Sequence, residues 1–226
     1  VSKKAVDYFF FRHPLRGPAS QIALHVRKKI FKVFMETMKP GEQTTILDVG
    51  VTPDRSLPES NFLEKLYPYK HRLTATSIED ASFLEKEYPG LTFVQTTGEK
   101  LPFDDWQFDL VFCSAVLEHV GNREEQGHFI RELLRVAKRF FLTTPNRGFP
   151  VEFHTFLPFI HWLPQPVHQA ILRRLGLGFW AETKNLNLLT PATIRTLFPE
   201  HLDIHLRKHH LLGLPSNIMV YGERGN

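Results

Sequence analysis

Two hydrophobic periods alternate along this chain. Ile22, Val26, Ile30, Val33 and Phe34 recur at helical spacing after Ser20, which is suited to capping, and Pro40-Gly41 ends the pattern, so a helix is predicted over Ser20–Met38. Beyond it the period shortens. Compact apolar runs predict strands at Thr45–Val49, Arg72–Ile78, Leu91–Gln95, Phe108–Cys113 and Arg139–Thr143, with helical patterns at Asn61–Tyr67, Asp80–Tyr88 and Arg123–Ala137. This alternation implies an α/β fold, a mostly parallel sheet with helices on both faces and right-handed crossovers. After the fifth strand the rhythm breaks. Aromatic and leucine residues cut by Pro150, Pro158, Pro164 and Pro166 mark an insertion over residues 149–185. Alternation returns with a helix from Thr190-Pro191 to Leu197, then strands Leu202–Leu206 and Asn217–Tyr221, which bring the strand total to seven.

Length and composition agree with this reading. The chain has 226 residues, enough for one sizeable core, so residues 1–226 are read as a single domain with an N-terminal helical segment over 1–40. A hydrophobic fraction of 42% with 23% charged residues excludes disordered and fibrous classes. The net charge of +4 is scattered, so dedicated nucleic-acid binding is not expected. Cys113 is the only cysteine, which excludes an internal disulfide and any multi-cysteine metal site and suits a reducing compartment. No secretory signal is read at the start, and no apolar run approaches the roughly 18 residues of a membrane span, so a cytoplasmic protein is expected.

The first strand ends in Asp48-Val49-Gly50, and ligands of open α/β sheets sit beyond the carboxyl ends of such strands. A dinucleotide site would add further glycines for close approach to a pyrophosphate, but Val51-Thr52-Pro53-Asp54-Arg55 follows, so pyrophosphate binding is disfavoured. The histidines give no metal ligand set by spacing. His201, His205 and His209 read as a half-exposed strand face, and the sevenfold spacing of His154, His161 and His168 is interrupted by prolines. His119, just past the fourth strand, and His154, at the edge of the insertion, are candidate proton acceptors.

Ile46-Leu47-Asp48-Val49-Gly50 resembles the first motif of class I S-adenosylmethionine-dependent methyltransferases. Gly98-Glu99-Lys100-Leu101-Pro102-Phe103, Phe108 to Ser114 and Leu117-Glu118-His119-Val120 resemble the loop and fourth strand of the small-molecule branch that includes quinone-biosynthesis methyltransferases. The resemblance implies a Rossmann-like sheet with an antiparallel final strand and S-adenosylmethionine as cofactor. It puts Asp48 near the cofactor's amino end, with Gly50, Val51 and Thr52 along the methionine portion. Ser77 and Glu79 would serve the ribose, Ile78 the adenine face, Thr97, Gly98 and Glu99 the adenine edge, and Ser114 with Ala115 the methionine side. The chain departs from the family at Thr52, where a second glycine is usual, at Ser77, where an acid is usual, and at Thr97, often an aspartate.

The expected activity is methyl transfer to a small, apolar or aromatic acceptor by in-line displacement, with a catalytically inactive binding or regulatory protein as the alternative. Phe153, Phe156, Leu157, Phe159, Ile160, Trp162, Leu163, Phe179 and Trp180 make the insertion more apolar than a solvated loop. It is expected to act as a lid or substrate wall, to pack on a partner, or to make peripheral contact with a membrane surface alongside Arg173, Arg174 and Lys184.

Overall fold

The computed structural model describes residues 16–96 and 100–224. Helix α1 (Arg16–Met38) precedes strand β1 (Ile46–Val49), α2 (Phe62–Leu66), β2 (Leu73–Ser77), α3 (Phe83–Glu87) and β3 (Thr92–Gln95). Strand β4 (Phe108–Ser114), α4 (Arg123–Val136) and β5 (Ala137–Pro145) follow. The chain closes with α5 (Gln165–Arg174), α6 (Pro191–Arg195), β6 (Ile204–Leu211) and β7 (Leu214–Glu223). The sheet has seven strands in the order β3-β2-β1-β4-β5-β7-β6. Strands β1 to β5 pair in parallel, and β7 runs antiparallel to both β5 and β6, the Rossmann-like arrangement with an antiparallel final strand that the resemblance implies.

Period-two alternation in the central strands divides the core into two layers. Leu47, Val49, Val111 and Cys113 face α4 and α6, whereas Ile46, Leu110 and Phe112 face α1 and α2. Helix α1 seats on the sheet through Phe34, whose ring meets Phe112 at 5.0 Å and Phe141 at 5.3 Å, both edge-on. Asp48 shares the Ile46 face, so its carboxylate is directed to α1 and α2. Asp109 ties the start of β4 to its neighbours, accepting from Thr45 N at 3.1 Å, Thr45 Oγ1 at 3.0 Å and Lys138 Nζ at 3.0 Å.

Four local expectations are corrected. Ser20 does not begin α1; it lies inside the helix, which is already in progress at Arg16, and the buried Ser20 hydroxyl donates to Glu59. Residues 165–174 are helical although prolines flank and enter them, because Pro164 stands at the cap and Pro166 in the first turn, where a missing N–H costs no hydrogen bond. The last two strands are longer than the sequence pattern indicated. They form a hairpin closed by Leu212 (φ 52°) and Gly213 (φ 80°), a pair of left-handed residues that matches the twist of the strands. His201 precedes β6, while His205 is exposed on it and His209 bonds Ser216 at 3.1 Å.

The insertion has its own small core of Leu172, Leu177, Trp180, Ala181 and Leu186. Arg147 anchors its start by donating to the carbonyls of His161 at 3.0 Å and Leu163 at 3.1 Å. Its far end is fastened to the loop after β4: Asn187 N donates to Glu118 O at 2.7 Å, and Asn187 Nδ2 to Gly121 O at 2.8 Å. Among the described residues, no helix is long and apolar enough to cross a membrane.

A second clamp holds the segment entering β4. The Arg135 guanidinium donates to Leu101 O, Phe103 O, Asp105 and both oxygens of Glu132, all at 2.8–3.0 Å, and Glu132 in turn accepts from Leu101 N at 3.1 Å. A planar, five-donor fork is needed for this. Arg135→Lys is therefore expected to lower stability by about 2–3 kcal/mol, because carbonyls are left unpaired while the charge is kept. Chemical denaturation checks this; a change below about 0.5 kcal/mol, the size of an ordinary surface substitution, would show that the fork is dispensable.

Candidate active site

Strand β1 ends at Val49, and Gly50 takes φ +102°, a conformation open to glycine and strained for other residues. That turn directs the N–H groups of Gly50 and Val51 onto the same acceptor, Thr76 O, at 2.8 and 3.1 Å. The loop is then braced by Asn61, which accepts from Thr52 N and donates to Thr52 O, both at 2.9 Å. On the other side, Ala115 (φ 57°) turns the chain out of β4 while its N–H donates to Thr143 O at 2.8 Å. The approach between these loops is close. A Cβ on Gly50 would lie 2.1 Å from Cγ2 of Val116.

Between the loops at the carboxyl ends of β1, β2 and β4 lies a cleft of about 690 Å³. Gly50, Val51, Thr52, Ser77, Ile78, Glu79, Ala115 and His119 line it, joining most of the residues singled out from sequence. Ile78 is 68% exposed, an apolar side chain held at the rim. Ser114 and Asp48 are not in the lining. Asp48 lies behind Gly50, buried with Glu64, and Arg27 acts on it electrostatically. Thr97, Gly98 and Glu99 lie outside the described residues. The wall opposite Gly50 comes from Gly121 and from Glu124, Glu125, His128, Phe129 and Arg131 of α4, none of which the sequence pattern had singled out. Their only signal was the Asn122-to-Glu125 capping box, which fixes the α4 N-terminus beside the β4 loop.

His119 sits at the mouth, where its Nδ1 and Asn185 O are 2.7 Å apart. A carbonyl only accepts, so Nδ1 carries the proton and Nε2 is left with its lone pair. His154 stands edge-on to it, ring centroids 4.8 Å apart, and Trp180 packs 4.8 Å from His154. The two imidazoles have opposite electrostatics. Burial lowers the pKa of His119 against the pull of Glu118. Burial also works against the His154 cation, but the charge and hydrogen bond of Glu152 overcome it and raise His154. Glu152, which burial alone would raise, is brought down to about 2 by His154 and Thr155. Glu118 completes the group. It is wholly buried, its Oε2 accepts from Thr144 Oγ1 at 2.9 Å, and its Oε1 has no hydrogen-bond partner.

Residues 47–140 match the family described as a methyltransferase domain. That span is similar to a methyltransferase domain. Solved structures share its fold at low identity. The YcgJ protein of Bacillus subtilis is 13% identical with a TM-score of 0.57, the match covering 88% of this chain and 100% of that one. A magnesium protoporphyrin IX methyltransferase from Synechocystis PCC 6803, solved with bound SAH, is 16% identical with a TM-score of 0.55, over 93% of this chain and 85% of that one. The N-methyltransferase NodS of Bradyrhizobium japonicum WM9 is 13% identical with a TM-score of 0.55, over 94% and 99%. A search of curated protein sequences gave no match. The matched span runs from β1 to β5 and includes both loops that frame the cleft, whereas α1, the insertion and the closing hairpin lie outside it.

Proposed function

We propose that the chain binds S-adenosylmethionine in the cleft and catalyses methyl transfer to a small, apolar or aromatic acceptor admitted beside the insertion. The observation that carries this reading is the cleft at the carboxyl ends of β1, β2 and β4, framed by the Gly50 turn, where the absent Cβ lets Val116 of the facing loop pack close, and by the Ala115 turn. A volume of about 690 Å³ suits a nucleoside-sized ligand. S-adenosylmethionine, when bound, supplies an electrophilic methyl group on a sulfonium leaving group.

The residues of this chain bind, orient and keep water out. Gly50, Val51 and Thr52 receive the methionine portion, supported from behind by Asp48, with Ala115 on the facing loop next to Ser114 at the end of β4. Glu79 at the rim offers two oxygens to vicinal hydroxyls, next to Ser77, whose hydroxyl accepts from Glu79 N at 3.2 Å. Ile78 covers an adenine face. His119 presents a bare Nε2 to an acceptor hydroxyl, and His154 stands behind it. Alignment in a water-poor cleft accounts for most of the expected acceleration, because the leaving group is intrinsically good. The insertion serves as a substrate wall through Trp180, and its outward Phe159, Trp162, Leu163, Val167 and Leu175 support peripheral contact with a membrane surface.

Isothermal titration of the full chain with S-adenosylmethionine and its demethylated product tests the reading. Saturable binding of both, at micromolar levels, is expected. No heat of binding at millimolar cofactor would overturn it.

A further inference from the structure

We propose that Glu118, His119 and His154 form a binding site for one divalent first-row transition-metal ion, bridging the end of β4 to the insertion. One ligand atom from each of the three side chains lies within 4.8 Å of the others. Glu118 Oε1 and His119 Nε2 are 3.9 Å apart. Ligand atoms on a tetrahedral ion at about 2.0–2.1 Å would be about 3.4 Å apart, so closure needs a shift of about 1 Å, within reach of small side-chain rotations.

The outer atoms of all three side chains are already fixed, which distinguishes this group from a chance cluster. His119 Nδ1 is committed to the backbone carbonyl of Asn185 at 2.7 Å, and His154 Nδ1 to the Glu152 carboxylate at 2.6 Å. Glu118 Oε2 accepts from Thr144. Ligating histidines are oriented in this way, with the far ring nitrogen donating to a carbonyl or carboxylate while the near one faces the ion. The inner atoms are then His119 Nε2, His154 Nε2 and Glu118 Oε1. The last is a fully buried carboxylate oxygen without a hydrogen-bond partner, an arrangement costly unless a positive charge meets it. Arg27, which also acts on Glu59 and Asp48, and His154 act on Glu118 electrostatically, but neither gives Oε1 a hydrogen bond.

Two imidazoles and one carboxylate suit zinc, cobalt or iron(II) better than magnesium or calcium. Three protein ligands leave a fourth position open, and His119 lines the cleft, so that position faces the acceptor side. Resting on the methyl-transfer reading at this one point, the ion would hold an oxygen-bearing acceptor in place of the bare His119 Nε2, which is then a ligand; the binding site itself does not depend on that reading.

The probe is Co²⁺, added to the chelator-treated full chain and followed by visible ligand-field absorption, with Zn²⁺ as competitor. One equivalent should bind saturably, and Zn²⁺ should displace it. Glu118→Gln, which keeps the carbonyl that accepts from Thr144, and His154→Ala should each weaken binding by more than 100-fold, on the order of 3 kcal/mol. Glu152→Gln should weaken it about 10–100-fold by releasing the His154 ring. The proposal is overturned if the folded wild-type chain takes up no stoichiometric Co²⁺, or if Glu118→Gln, folded by circular dichroism, binds it unchanged. A parallel S-adenosylmethionine titration separates the two readings: cofactor binding without metal binding removes the metal site alone, and metal binding without cofactor binding removes the cleft assignment alone.

Discussion

Gly50→Ala is expected to eliminate measurable S-adenosylmethionine binding and to lower stability by about 2–5 kcal/mol, on the order of 10 °C in melting temperature. Two separate penalties combine. The backbone at φ +102° is strained for any residue with a Cβ, and that Cβ would meet Val116 Cγ2 at 2.1 Å, far inside contact distance. Relief requires the 115–120 loop to retreat or the 50–52 loop to turn over, and either movement takes the cleft walls out of register with the ligand. The double variant Gly50→Ala/Val116→Ala tells the penalties apart. Removing the valine methyl groups relieves the collision and leaves the dihedral strain, so roughly half of the lost stability should return, with weak cofactor binding. Thermal unfolding and titration of wild type, the single variant and the double variant check this. A single variant with wild-type melting temperature and affinity would mean that the loops adapt freely and the cleft does not depend on this turn.

The architecture was legible wherever burial dictates period. Strand β1, Ile46–Val49, is buried at every position, and β4 with β5 is nearly so, so uninterrupted apolar runs marked the parallel centre of the sheet. The closing hairpin was harder, because β6 is exposed along most of its length and Arg207, Lys208, His209 and His210 carry no apolar signal. Its extent depends on pairing with β7, a contact a periodicity scan does not see. Helix α5 was hidden for the opposite reason: Pro164 and Pro166 were read as breakers, although the same residues are well suited to a helix start.

The site divides along similar lines. Gly50, Ser77, Glu79 and Ala115 sit at strand ends, where sequence order alone predicts convergence, and they do converge on one cleft. The α4 wall was not legible, because His128 and Arg131 lie on a helix whose pattern reports only the apolar face it buries. Nor was the meeting of His119 with His154. It depends on the insertion returning so that Asn185 and Asn187 bond the β4 loop, a long-range event without a spacing signature.

The Asp48–Glu64 pair is expected to make the ligand-free protein less stable as pH rises, and Asp48→Asn to remove that dependence. Both carboxyls are buried, on β1 and α2, and burial raises both. Glu64's charge and hydrogen bond raise Asp48 further, with Arg27 opposing, while Asp48, Lys70 and Lys65 moderate Glu64. If both were ionised, neither Glu64 oxygen would have a donor. With Asp48 protonated, its hydroxyl donates to Glu64, so the pair holds a shared proton. A carboxyl raised in the folded state contributes stability that is complete below the unfolded carboxylate range, near about pH 4, and is lost as pH climbs through the folded value. Wild-type melting temperature should therefore decline across the weakly acidic to alkaline range. The side-chain amide introduced by Asp48→Asn would donate to Glu64 at every pH, so the variant should lose this part of the slope and overtake wild type on the alkaline side. Each unit of folded-state elevation corresponds to about 1.4 kcal/mol, large against the total stability of a domain. Melting curves of both proteins across pH provide the comparison, and parallel slopes would show that the pair is ionised and solvated rather than sharing a proton.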